Sequence, residues 1–290
     1  MAILGSAPAD ILRPLRVAVI VPCFNDGALV TEAVASARRC PEPVQIVVVD
    51  DGSTDPATID VLGRLDSPAV RVVHQENTGL PGARMTGLRE TTAPYVFPLD
   101  ADDLLVAETL PAMADVLDAH PRAAVCFGDY AEFGGPEDLV RAVPDRLDPF
   151  RVAYTNEYPV AALFRRSALE EVGGWKPIRY GYEDWDLWMA LVEAGHEGVH
   201  VGHGRLTYRR RLHGERMLTT AKRNHRELYR TLQGRHPKLF ADIAEHRARS
   251  DLSPLRKRLY PHVYGGRRRL GFERHVKALL DRTRIWTLRR

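Results

Sequence analysis

The sequence predicts an α/β fold: a doubly wound, mostly parallel sheet with helices on both faces, followed by a basic helical C-terminal extension. Short β-branched runs alternate with stretches of helical spacing through residues 16–127. The runs are apolar at consecutive positions, as strands buried on both faces are. Carboxylates and amides gather just after them, at the carboxyl ends where such a sheet binds ligands.

Residues 16–22 form the first strand, ended by Pro22. Residues 28–39 follow as a helix, with Leu29, Ala33, Val34 and Ala37 at helical spacing. Residues 44–49 are the second strand, and Asp55-Pro56 opens a helix that runs to Leu65. Residues 70–73 make a short strand, and Asn77-Thr78-Gly79 starts a helix over 81–89. A strand over 95–99, a helix over 105–119 and a strand over 123–127 continue the alternation. The stretch 134–156 loses periodicity at Gly134-Gly135-Pro136, Pro144 and Pro149, and reads as a functional loop. Helices return over 166–172 and 185–194. Beyond Thr219 the chain is polar, basic and helical, with breaks at Pro254, Pro261 and Gly265-Gly266. We therefore expect an α/β domain over 1–215 and a basic helical extension over 216–290.

Composition excludes several classes. With 44% hydrophobic and 27% charged residues the chain builds a core and is not disordered. Its strongly apolar runs, such as 17–24 and 44–49, fall short of the roughly 18 residues that span a bilayer. The first 15 residues lack the layout of a signal peptide. The three cysteines, Cys23, Cys40 and Cys126, form no CxxC pair. That argues against a disulfide framework or thiolate zinc site and for a reducing cytoplasm. The net charge of +3 hides an asymmetry: residues 1–202 carry 16 basic and 31 acidic residues, and 203–290 carry 25 and 7.

The strand ends hold Asn25-Asp26, Asp50-Asp51 and Asp100-Ala101-Asp102-Asp103. Alone, Asp51 or Asp55 is equally a helix cap. Together, so many carboxylates on one sheet edge repel one another, and a divalent cation relieves that repulsion. Oxygen-only ligands favour Mg2+ or Mn2+ bridging a diphosphate. The segment 77–84 adds a Gly-containing turn, a helix start and Arg84, an arrangement that suits an anion. No P-loop is present, and no GxGxxG follows the first strand. Asp184, in Glu183-Asp184-Trp185-Asp186-Leu187-Trp188, stands at a helix start. It reads either as a first-turn acid or as a general base beside aromatic residues that pack on a sugar face.

These segments, in this order, resemble the family 2 glycosyltransferases of GT-A fold. The matching pieces are Val19-Ile20-Val21-Pro22-Cys23-Phe24-Asn25-Asp26, Val48-Val49-Asp50-Asp51-Gly52-Ser53-Thr54-Asp55, residues 77–87 and 99–103, Gly173-Gly174-Trp175, and Glu183 through Trp188. The resemblance covers about residues 16–215. It implies an inverting, metal-assisted transferase that uses a nucleotide diphosphate sugar, with UDP the expected nucleotide, and a hydroxyl-bearing acceptor: a glycan, glycolipid or small molecule. Pro22, Phe24, Asp26 and Asp51 would line the nucleoside pocket, and Arg84 would lie near the diphosphate. Asp100-Ala101-Asp102 looks like the DxD motif, with Asp100 near the ribose, Asp102 on the metal and Asp103 sharing that role. Asp184 would be the base, since an inverting transfer needs one carboxylate to take the acceptor proton and no nucleophile. His213 is a further metal candidate, in a segment two residues longer than the family's Tyr-Arg-x-His, and Met85 stands where relatives have Asn. Asn156, Trp175, Glu183 and Trp185 would face the acceptor.

The extension combines Arg256-Lys257-Arg258, Arg267-Arg268-Arg269 and a basic amphipathic terminal segment over 270–290. It suits an anionic membrane surface, which would hold the enzyme peripherally at the inner face, and equally a helical appendage on the domain or on a second subunit. Nucleic acid ranks below both, because no recognition motif accompanies the charge. Two other functions share the fold. A nucleotidyltransferase would carry a Gly-rich basic loop where Cys23-Phe24-Asn25-Asp26 stands, and a non-catalytic nucleotide-sugar-binding protein would not need intact Asp102 and Asp184.

Overall fold

The computed structural model describes residues 15–212 and 224–264, and the backbone of 285–287. The chain begins with β1 (Val17–Cys23), α1 (Gly27–Ala37), β2 (Gln45–Asp50), α2 (Pro56–Leu65), β3 (Arg71–His74), α3 (Gly79–Arg89) and β4 (Tyr95–Pro98). It continues through β5 (Leu104–Leu105), α4 (Leu110–Ala119), β6 (Ala123–Phe127), β7 (Asp129–Phe133), β8 (Leu139–Arg141), α5 (Pro149–Tyr154) and β9 (Leu163–Arg165). Then come α6 (Arg166–Val172), α7 (Glu183–Glu193), β10 (Glu197–His200) and β11 (Leu206–Arg211). The extension supplies α8 (His225–Arg235), α9 (Pro237–Ala241), α10 (Ile243–Arg249), α11 (Pro254–Val263) and β12 (Ile285–Thr287).

Seven strands form the main sheet in the order β10-β6-β9-β4-β1-β2-β3. All neighbours are parallel except β9, which runs antiparallel to β4 and β6. The continuous apolar pattern of β1 has a direct cause. Val17, Val19 and Val21 join one core cluster with α1 and α4, while Ile20 joins a second with residues of α3, α6 and α7. Helices thus cover both faces. Asp55 opens α2 by accepting the Thr58 N–H at 2.9 Å, with Pro56 in the first turn.

A second, five-stranded sheet, β12-β8-β7-β11-β5, departs from the expected plan. The expected helix over 105–119 begins only at Leu110, because Leu104 and Leu105 pair with Arg209 and Tyr208 of β11. The expected loop over 134–156 contains β8 and α5; Asp148 caps α5, accepting the Phe150 N–H at 2.9 Å. The described part of the extension packs on the α/β body. Tyr229, Leu232 and Leu239 join the cluster of α6 and α7, and Leu252, Tyr260 and Tyr264 enclose Phe150. No helix among the described residues is long and apolar enough to cross a membrane.

Two helical glycines differ in what surrounds them. A Cβ on Gly87 of α3 would meet Ile20 Cγ2 at 2.2 Å, whereas one on Gly63 of α2 would meet nothing within 4 Å. Alanine normally stabilises a helix relative to glycine by up to about 1 kcal/mol. Denaturant unfolding should therefore show Gly63→Ala stabilising by about 0.5–1 kcal/mol. Gly87→Ala should destabilise by about 1–3 kcal/mol, because overpacking outweighs propensity.

Candidate active site

The parallel register brings the carboxyl ends of β1, β2 and β4 to one edge, with Cys23 opposite Asp50 and Leu99 N–H bonded to the Ile20 carbonyl at 2.9 Å. Asn25, at φ 59°, joins the loops after β1 and β2: its Oδ1 accepts the N–H groups of Thr54 and Asp55 at 2.8 and 2.9 Å. Phe24 beside it is 46% exposed, an open apolar face at the edge. Asp26 precedes α1 without a side-chain cap bond to that helix. Asp50 accepts the Ser53 N–H at 2.9 Å and faces His74 Nδ1 at 2.8 Å. These bonds hold the Asp50 carboxyl below its ordinary value against the opposing effect of burial.

Asp51 is a helix cap, one of its two expected readings, but of α3 and not of the next helix along the chain. Its buried carboxylate accepts the N–H groups of Thr78 and Gly79 at 2.8 and 2.9 Å and the Gln75 amide at 2.6 Å. It thereby caps α3 from the neighbouring loop, where the helix dipole favours an anion.

Arg84, expected near the diphosphate, is enclosed by protein. Its side chain is 1% exposed, so it is not presented to an anion in solvent. It bonds Asp100 Oδ1 at 2.7 Å and Glu183 Oε1 at 3.3 Å. One buried guanidinium therefore ties the end of β4 to the start of α7. Asp102 is partly exposed, and its backbone carbonyl accepts the Arg211 Nε–H at 3.0 Å. Asp103 is buried and accepts the Arg211 N–H at 2.8 Å. Burial, then repulsion from Asp100 and Asp102, pushes its carboxyl up to about 8.

Asp184 lies in the first turn of α7. One oxygen accepts the Trp185 N–H at 2.8 Å and the other the Asn156 amide N–H at 2.7 Å. Burial raises its carboxyl, and the two hydrogen bonds oppose that rise. Glu183 is raised as well, by burial and then by Asp184. Trp175 and Trp185 are 2% and 3% exposed, so neither offers a free face to an acceptor sugar. Trp175 meets Phe164 edge-on, and Trp185 Nε1 donates to the Val152 carbonyl at 2.6 Å. Trp185 is buried because it sits on the face of α7 that joins the core, and Trp175, in the connection between α6 and α7, joins the same cluster. His213 lies outside the described residues, as does the amphipathic segment over 270–284.

The sequence also left one group unmarked. Asp129, His200 and His203 bring potential ligand atoms within 4.8 Å of one another, at the start of β7 and the end of β10. His200 Nδ1 accepts the Gly202 N–H at 3.0 Å, which leaves Nε2 to donate to Asp129 at 3.1 Å. His200 follows Asp129 by 71 positions, and no local spacing announces the group.

The open sheet, with its acidic loops on the carboxyl edge, defines a protein of the GT-A class. Solved structures share this fold: S. aureus TarS 1–349 in complex with UDP-GlcNAc is 20% identical, covering 84% of this chain and 69% of that one, with a TM-score of 0.59. A Pyrobaculum calidifontis mannosyltransferase in complex with GDP-Man and Mn2+ is 19% identical, covering 92% and 80%, with a TM-score of 0.56. Among curated relatives, the succinoglycan biosynthesis protein ExoU of Rhizobium meliloti is 30% identical over 208 residues, 63% of this chain and 58% of that protein. The uncharacterized protein y4gI of Sinorhizobium fredii is 30% identical over 198 residues, 64% of this chain and 22% of that one. This chain spans less than two thirds of the length of these curated relatives. The glycosyl transferase family 2 model matches residues 18–173, and the chain belongs to that family.

Proposed function

We propose that the protein is an inverting, metal-assisted glycosyltransferase that moves a sugar from a nucleoside diphosphate donor, a UDP-sugar, to an acceptor hydroxyl, with Asp184 as general base. The observation that carries this reading is the Asp100–Arg84–Glu183 bridge, which sets the Asp184 carboxylate beside the acidic sheet edge. The nucleotide-sugar complexes of the two structural neighbours support the donor class, and the Mn2+ of one supports the metal.

In this reading the exposed Phe24 face, Pro22 and Asp26 border the nucleoside. Asp51 shapes that pocket by capping α3. Asp100 stands on the ribose side, and Asp102 with Asp103 would hold Mg2+ or Mn2+. Asp102 and Asp103 are oxygen donors of the kind a hard cation takes, and the repulsion from Asp100 and Asp102 that follows burial in raising the Asp103 carboxyl is what a cation relieves. The bound ion supplies charge neutralisation for the departing diphosphate. Asp184 accepts the acceptor hydroxyl proton as oxygen attacks the anomeric carbon opposite the leaving nucleotide. Asn156 and the Trp185 N–H hold its two oxygens in one orientation. Arg84 acts through Asp100 and Glu183 rather than on the diphosphate.

Asp184→Asn should lower turnover by about 100- to 10,000-fold while calorimetry shows UDP binding unchanged. An active variant would remove Asp184 as the base. Asp102→Ala should weaken UDP binding in Mn2+ at least tenfold and leave binding in EDTA unchanged, the tenfold corresponding to about 1.4 kcal/mol. The base must be unprotonated, and its carboxyl is raised. Activity should therefore fall on the acid side at a pH above the usual aspartate value of about 3.9. Asn156→Ala removes a bond that favours the carboxylate. A pH–rate profile should show its acid limb moved upward and kcat reduced about tenfold, as for a lost hydrogen bond to a charged group.

A further inference from the structure

The segment before the proposed base is strained. Tyr180, Gly181 and Tyr182 have φ of 73°, 109° and 71°, three consecutive residues in the left-handed region. Bulky residues there are disfavoured, at a cost of about 1–3 kcal/mol each, and persist only where their surroundings enforce them. Tyr182 is the residue before α7, and its carbonyl accepts the Asp186 N–H at 2.9 Å, the first bond of that helix. Its conformation therefore sets where α7 starts and where Asp184 points.

What enforces it comes from the extension. The Tyr182 hydroxyl meets His225 Nδ1, at the start of α8, at 2.9 Å. The Tyr182 ring stands edge-on to Trp185 and to His225, with centroids 5.2 and 5.9 Å away. The His225 ring forms a triangle with those of Trp185 and Tyr229, with centroids 6.2 and 5.8 Å from it and 5.6 Å from each other, and is near-parallel to both at 14° and 20°. Those two rings are anchored on α5: Trp185 Nε1 donates to the Val152 carbonyl, and the Tyr229 hydroxyl donates to the Ala153 carbonyl at 2.8 Å. Just beyond α5, Asn156 reaches back to Asp184. The contacts close a ring from His225 through Tyr182, α7, Asp184, Asn156 and α5 back to His225. Further along α7, Asp186 bonds Arg235 and His236 at 3.1 and 3.0 Å, and Glu193 accepts the Lys238 N–H at 2.8 Å.

We propose that the C-terminal extension is a working part of the catalytic centre, with His225 a positioning residue that locks the left-handed turn at Tyr182 and so aims Asp184. This rests on the reading of Asp184 as base. The start of α7 reaches the proposed donor edge through the Glu183–Arg84–Asp100 bridge, but the Tyr182–His225 and Tyr182–Trp185 contacts involve neither Arg84 nor the residues proposed to line the nucleoside, so the lock acts on turnover rather than on UDP binding.

The test uses the full chain with Tyr182→Phe, which removes only the hydroxyl, and His225→Phe, which keeps a stacking ring. Two readouts are taken: kcat and KM with the UDP-hexose that the wild-type chain turns over fastest in Mn2+, and amide hydrogen exchange over 180–186. Each variant should lose about tenfold in kcat with UDP affinity within twofold of wild type, and the double variant should be no worse than either single one. Exchange at Trp185 and Asp186 should quicken about tenfold in both. Unchanged kcat and exchange in Tyr182→Phe would overturn the proposal, as would a loss of UDP affinity parallel to the loss of kcat. If His225→Phe does not fold, Tyr182→Phe alone decides the matter. If Asp184→Asn is inactive while both variants are fully active, the lock fails and the base assignment stands. If Asp184→Asn is active, the base assignment fails whatever the variants do, and the exchange data still report whether the turn is locked.

Discussion

The site depends on one buried guanidinium. Arg84 leaves α3, passes into the interior and pairs with a carboxylate from each side, Asp100 after β4 and Glu183 at the start of α7. Removing a charge from water is costly, and a buried ion pair repays that cost only with good geometry and further hydrogen bonds. Here two carboxylates share one cation, and Asp184 adds negative charge nearby. Such a group is poor as a source of stability and effective as a register device. It fixes the distance between the acidic edge and the helix that carries the proposed base. In the proposed reaction that distance matters, because the base and the leaving group work on opposite faces of one carbon.

The same logic explains where sequence reading succeeded. Strands β1 and β2 were legible because burial on both faces leaves consecutive β-branched residues, as in Val47-Val48-Val49. Helix α2 was legible because Asp55-Pro56 states its own start. Strand β11 was not. It reads Leu-Thr-Tyr-Arg-Arg-Arg; Arg210 pairs with Glu132, and Arg211 with Glu32 and the carbonyl of Asp102, partners that no local pattern announces. Strands β5, β8 and β9 hold two or three residues each, too few to show a period.

Residue roles divided along the same line. The acidic motifs marked the edge, because their order along the chain survives folding. Asp51 reads in sequence as a helix cap or a nucleoside-lining residue, and Arg84 as a neighbour of the diphosphate, because sequence gives no account of which carboxylate meets which donor. In the structure Arg84 meets two acids and Asp51 the start of α3. Trp175 and Trp185 are a similar case: aromatic residues suit sugars and cores alike, and these two are in the core. The charge asymmetry also changes meaning. Part of the extension's positive charge is met within the chain, by Arg235 on Asp186, and a bond from Arg146 of the body to the Arg249 carbonyl fastens α10 to it. Asp251, in turn, receives Arg151 of α5.

The central claim is that the acidic edge and the α7 start function as one unit through Arg84. A double-mutant cycle on kcat/KM, with Asp100→Asn, Glu183→Gln and the pair, measures that directly. Coupling predicts that the effects are not additive, with an interaction energy of about 1 kcal/mol or more. Additive effects, within about 0.3 kcal/mol, would mean that the two ends of the guanidinium serve separate purposes and would contradict the account.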